Sequence, residues 1–194
     1  MFAWTSIRTG VLRDSGCWVC PLARTGRPEV PATWIIRAEP LTREAFLPYG
    51  DVLETGGITP ETINFGNTQK YGSLAEIFSV DGAPGQISIY RSRAIELPFR
   101  IRVMESHPLG SQAFYPLHQR PFPVVVAPPG PAPGPADIEV FLTSGGQGVS
   151  LHTGVWHHYQ LTLQEDSEYI VIDRAGADDN YREHRLSEEV ILGI

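Results

Sequence analysis

Short runs in which apolar residues take every second position recur along this chain, and such runs point to β-architecture. Trp34 to Ala38, Tyr49 to Glu54, Gln86 to Arg91, Phe122 to Ala127 and Ile138 to Thr143 are all of strand length. So are Val149 to His152, Val155 to Leu161 and Glu168 to Asp173. The 17 Pro and 19 Gly supply turns between them. Helix is expected in two short places. One is Leu41 to Phe46, with Thr42 as N-cap and Pro48 as stop; the other is Ser187 to Leu192, capped by Ser187. Many short strands and little helix predict a mainly β fold, an antiparallel barrel or sandwich.

The stretch from Arg100 to Pro116 carries the densest chemistry. It is expected to be two strands joined by a tight turn. Residues two apart in a strand share a face, so Phe99, Ile101, Val103, Glu105 and His107 would lie on one side. With Pro108 to Ser111 as a four-residue loop, His107 would pair with Gln112 and Glu105 with Phe114. The shared face then passes from apolar to polar, as the wall of a ligand cavity does.

The formal net charge of −7 argues against a general nucleic-acid binder, which needs basic clusters. No apolar run reaches the length of a membrane-spanning helix, so no membrane partner is expected. Residues 1–33 have neither a period of 2 nor one of 3.6. They read as an extension, disordered or from a non-native start, before one domain over 34–194. Cys17 and Cys20, the only two cysteines, form a lone CxxC without the second pair of a zinc ribbon and read as incidental. Cytoplasm is the default location.

Five of the six histidines lie between His107 and His158. Imidazole is the commonest metal ligand and the usual acid-base group near neutral pH. A mononuclear metal site is expected from Glu105, His107, Gln112 and His152; the alternative is a hydrogen-bonded pocket without an ion. Alternation puts one of His157 and His158 inward and the other outward, without saying which. Arg91 would end an inward face with Ile87 and Ile89, either to clamp a carboxylate or to escape into solvent. Asn64 and Lys70 lie in an irregular segment, as substrate contacts or as ordinary turn and surface residues. His118 and His184 read as surface residues.

The run Glu105-Ser106-His107-Pro108-Leu109-Gly110-Ser111-Gln112-Ala113-Phe114 resembles the signature of the ureidoglycolate lyase family. The likeness continues through Gly146-Gln147-Gly148-Val149, His152, Val155-Trp156-His157-His158 and Ile172-Asp173-Arg174, and takes in Ile63-Asn64-Phe65-Gly66 and Arg91. It implies a cupin-like, jelly-roll-type β-barrel and a cytoplasmic homodimer. It also implies cleavage of (S)-ureidoglycolate to glyoxylate and urea in allantoin catabolism. On that resemblance Glu105, His107 and His152 are catalytic, and Arg91, Asn64, Lys70, Gln112 and His157 bind the substrate. It implies a divalent metal such as nickel, held by Glu105, His107, Gln112 and His152, and no organic cofactor. Other readings are a different metal-dependent cupin, oxygenase or isomerase, and a non-catalytic cupin that binds a small carboxylate.

Overall fold

The computed structural model describes residues 33–176 and 180–194. The extension and its two cysteines lie outside the described residues. The elements are β1 (Thr33–Arg37), β2 (Glu39–Pro40), α1 (Arg43–Phe46), β3 (Gly50–Leu53), β4 (Glu61–Ile63) and β5 (Thr68–Lys70). They continue as β6 (Gly85–Ser92), β7 (Phe99–Ser106), β8 (Gln112–Pro116), β9 (Pro123–Ala127) and β10 (Glu139–Leu142). The last are β11 (Gly148–Leu151), β12 (Trp156–His157), β13 (Ser167–Arg174) and β14 (Arg182–Gly193). Among the described residues, no helix is long and apolar enough to cross a membrane.

The expected mainly β, barrel-like architecture is present. One sheet has seven strands in the order β1-β14-β7-β12-β9-β10-β2, and another has five in the order β3-β11-β8-β13-β6. Pairing is antiparallel except at two margins, where β1 joins β14 and β2 joins β10 in parallel. Strand alternation builds two cores. Val124, Val126 and Phe141 point into the main core with Phe114, Val149, Leu151, Tyr169 and Val171 from the other sheet. Val125, Ala127 and Val140 turn to the opposite face of the seven-stranded sheet, beside Met104, Trp156 and Leu192. Each fully buried side chain of this size contributes roughly 1.5–3 kcal/mol of transfer free energy.

α1 forms as expected: the Thr42 hydroxyl accepts from the Ala45 N–H at 3.2 Å, and Phe46 is buried against Phe141. Four expectations are corrected. First, β7 and β8 are not a hairpin. β7 pairs with β12 and β14, and β8 with β11 and β13, so residues 107–111 cross from one sheet to the other. Both edges of β7 are taken by later strands, which no local pattern reveals. The crossing is pinned by its own backbone: Val80 N–H donates to Leu109 O, and Ser111 N–H to Phe78 O. Gly110 is required there, since a Cβ would stand 2.6 Å from Arg174 Cβ.

Second, the C-terminal segment is a strand, with Val190 and Leu192 buried and pairing on both sides by β1 and β7. Third, Ile87, Ile89 and Arg91 face outward on the edge strand β6. Ile87 and Ile89 are 75% and 61% exposed, while Tyr90 packs inward against Phe114. Fourth, the face from Phe99 to His107 is broken. Ile101 and Met104, three apart, share the second core, opposite an irregularity in β14 between Arg185 and Val190. His118 is also partly buried, edge-on to Phe122 and Tyr169.

Candidate active site

Met104 and Ser106 point away from the main core, so Glu105 between them points inward, directly across from His157 on β12. The His157 ring lies 6.1 Å from Phe114 and 5.3 Å from the His107 ring (centroid to centroid). Trp156 goes to the second core, which settles the paired histidines: His157 faces the site. One donor atom each from Glu105, His107 and His157 lies within 4.8 Å of the others.

Hydrogen bonds fix which nitrogen faces in. A carbonyl oxygen only accepts, so His107 Nδ1–H donates to Asn180 O at 2.8 Å, and His157 Nδ1–H to His158 O at 3.1 Å. The Nε2 atoms of both rings point the other way, buried and without a hydrogen-bond partner among the described residues. Burial pulls the His157 pKa down to about 3, with the neighbouring His107 adding to the effect, so its ring is neutral at physiological pH. Its 3.7 Å approach to Glu105 is thus no ion pair. Glu105 is raised above its ordinary value by burial, against the opposing pull of the neighbouring His107 and Tyr181. Tyr181, 6.0 Å from the His107 ring, donates to Glu183 at 3.0 Å.

The five-stranded sheet supplies the facing wall. Phe114 and Val171 point inward, so Gln112 and Asp173, two residues beyond each, share that face and pair with one another. Gln112 Nε2–H donates to Asp173 Oδ2 at 3.5 Å. That leaves Gln112 Oε1 and Asp173 Oδ1 as buried acceptors without a partner among the described residues. Tyr90 feels the charge of both Asp173 and Glu105; with burial, they raise its pKa.

The other expected site residues lie elsewhere. Leu151 points into the core, so His152 turns the other way, half exposed, with Nε2 3.6 Å from Asp51 Oδ2. It is not in the Glu105–His107–His157 cluster; His157 occupies the place expected for it. Arg91 is paired with Glu168 at 2.5 Å on the outer face. Lys70 pairs with Glu61 at 3.3 Å, and Asn64, in a left-handed turn, donates to Thr68 at 3.2 Å. Both sit on the exposed β4–β5 ribbon. Asp173, Asn180 and Tyr181 were missed. Alternation from Tyr169 and Val171 could have found Asp173; Asn180 and Tyr181 carry no periodic signal.

Two imidazole nitrogens and a carboxylate, convergent inside a β-barrel, define a donor set of the kind that holds a divalent transition ion. The sequence comparisons make the family specific. A profile described as Ureidoglycolate lyase matches residues 33–193, and the chain belongs to that family. It is 49% identical over 158 residues to a ureidoglycolate lyase of Azotobacter vinelandii, covering 80% of this chain and 94% of that one. It is 47% identical over 155 residues to one of Pseudomonas aeruginosa, covering 79% and 92%. A Stutzerimonas stutzeri ureidoglycolate lyase is 48% identical over 154 residues, covering 78% and 89%.

Proposed function

We propose that this protein is a ureidoglycolate lyase, cleaving (S)-ureidoglycolate to glyoxylate and urea. The observation that carries the reading is the Glu105–His107–His157 cluster, with both Nε2 atoms bare, in a chain of this family. The substrate carries a hydroxyl and a urea nitrogen on one carbon beside a carboxylate. Cleavage removes the hydroxyl proton, breaks the C–N bond as the C=O forms, and returns a proton to the urea nitrogen. Glu105, raised toward neutrality by burial, takes and returns that proton. Gln112 Oε1 and Asp173 Oδ1 accept from the ureido N–H groups, the donors that two unpartnered acceptors require.

The bare Nε2 atoms fit a divalent ion, nickel or similar, which His107 and His157 would hold with one Glu105 oxygen, leaving the other oxygen for the proton. Such an ion supplies Lewis acidity at a substrate oxygen. Asn180 O and His158 O fix the imidazoles, as carbonyl partners do for metal-bound histidines.

Phe65, fully exposed at the tip of the β4–β5 ribbon, and exposed Ile87 and Ile89 on β6 support a homodimer. Light scattering checks it. We assign the enzyme to the cytoplasm and to allantoin catabolism on the strength of the family.

The deciding assay is release of urea and glyoxylate from ureidoglycolate, with and without a chelator. Urea and glyoxylate in equal amounts support the lyase; ammonia in place of urea overturns it. Two histidines and a carboxylate also suit a non-haem iron oxygenase. That reading requires oxygen uptake and bound iron, and the relatives' names weigh against it.

A further inference from the structure

A groove of about 680 Å³ runs along β7 and β14, lined by Arg100, Arg102, Val103, Glu183, Arg185 and Tyr159 among others. Of its lining, Val103, Glu183 and Arg185 lie on the strand face that carries Glu105. Glu183 stands opposite Glu105 and Arg185 opposite Val103, and Val103 precedes Glu105 by two residues. The groove's cations thus begin roughly 7 Å along the strands from the cluster, at 3.3–3.4 Å per residue.

The irregularity in β14 creates this surface. Between the pairs Arg185–Val103 and Val190–Ile101, four residues of β14 face a single residue of β7, Arg102. Because Ile101 and Met104 both enter the second core, Arg102 and Val103 both remain on the groove side, where strict alternation would have separated them. In a chain of net charge −7, the groove gathers three arginines against Glu96 and Glu183. Arg100 is paired with Glu189, and Arg185 lies 3.5 Å from Glu183 in an exposed contact that an incoming anion can replace. Arg102 has no ion-pair partner among the described residues.

We propose that this groove captures the carboxylate of a small 2-hydroxy or 2-oxo acid, with Arg102 and Arg185 as the binding cations, before the acid reaches the cluster. Guanidinium matches a carboxylate through two parallel N–H bonds. The inference rests on the ureidoglycolate reading and supplies the cation that Arg91, turned outward, does not.

The test pairs the double variant R102A/R185A with R102K/R185K. Steady-state kinetics on ureidoglycolate at several salt concentrations are read beside calorimetric binding of glyoxylate. The alanine pair should raise KM at least about 10-fold with kcat little changed, lose most of its salt dependence, and weaken glyoxylate binding similarly. The lysine pair should recover part of each loss. Metal content and Tm of every variant report folding independently. If the parent releases urea while the alanine pair keeps its KM and glyoxylate affinity, the groove assignment is overturned and the lyase stands. If the parent releases no urea but glyoxylate binding still needs the arginines, the lyase reading falls and the groove remains.

Discussion

Two carboxylate–imidazole pairs among the described residues behave oppositely. His157 is buried and Glu105 largely so, and a backbone carbonyl holds the imidazole so that Nε2 is bare. Asp51 and His152 sit 3.6 Å apart with both side chains about half exposed, 50% for His152 and 43% for Asp51. The residue types are the same; burial and the outer hydrogen bonds differ. A solvated pair of this kind contributes little to stability and is freely satisfied by water. The buried pair carries unmet hydrogen-bonding capacity, and such capacity marks where a ligand belongs.

The sharpest way to break this contrast is Glu105→Gln, which keeps shape and removes the exchangeable proton. Turnover should fall on the order of 10²–10⁴-fold, and retained turnover would remove Glu105 as the acid-base group. Asp173→Asn should act next. Its amide oxygen would take over the bond from Gln112, putting an NH₂ where Oδ1 now stands as a free acceptor. KM for ureidoglycolate should rise about 10-fold, and inhibition by urea should weaken while inhibition by glyoxylate persists. His152→Ala should change kcat/KM by less than about threefold; a loss as large as that of Glu105→Gln would put the exposed pair in the reaction.

The smallest effect tests the anchor behind Asp173. The next residue, Arg174, grips Asp81, and that contact holds the Asp81 carboxyl well below its ordinary 3.8. A depressed folded-state pKa means that the unfolded chain binds the proton more readily, so this stabilisation is present above 3.8 and is lost as pH falls through and below it. Thermal melts of the parent and Asp81→Asn should therefore differ slightly at pH 7 and converge as the medium is acidified below 3.8. A gap that widened on acidification would refute the anchor.

Much of the fold was legible because alternation is a local property. The Val-rich β9 announced two buried faces, and Thr42 announced α1. Pairing is not local. Nothing within residues 100–116 tells that β12 and β14 occupy both edges of β7, so the supposed hairpin was a crossing between sheets. Ser187 as an N-cap suggested a helix at the C-terminal segment, whereas burial of Val190 and Leu192 between two partner strands decides for β. At the site, Glu105, His107 and Gln112 were readable from spacing. His152 is turned outward by the burial of Val149 and Leu151 beside it, a consequence of the same alternation, and His157 from another strand stands with Glu105 and His107 instead.

The crossing at residues 108–111 has a further consequence. A chain opened there would leave Glu105 and His107 on one fragment and Gln112, His157 and Asp173 on the other. Neither piece could assemble the centre alone, since each carries strands of both sheets whose partners lie on the other piece. Urea release from the mixed halves would serve as a complementation signal for barrel closure.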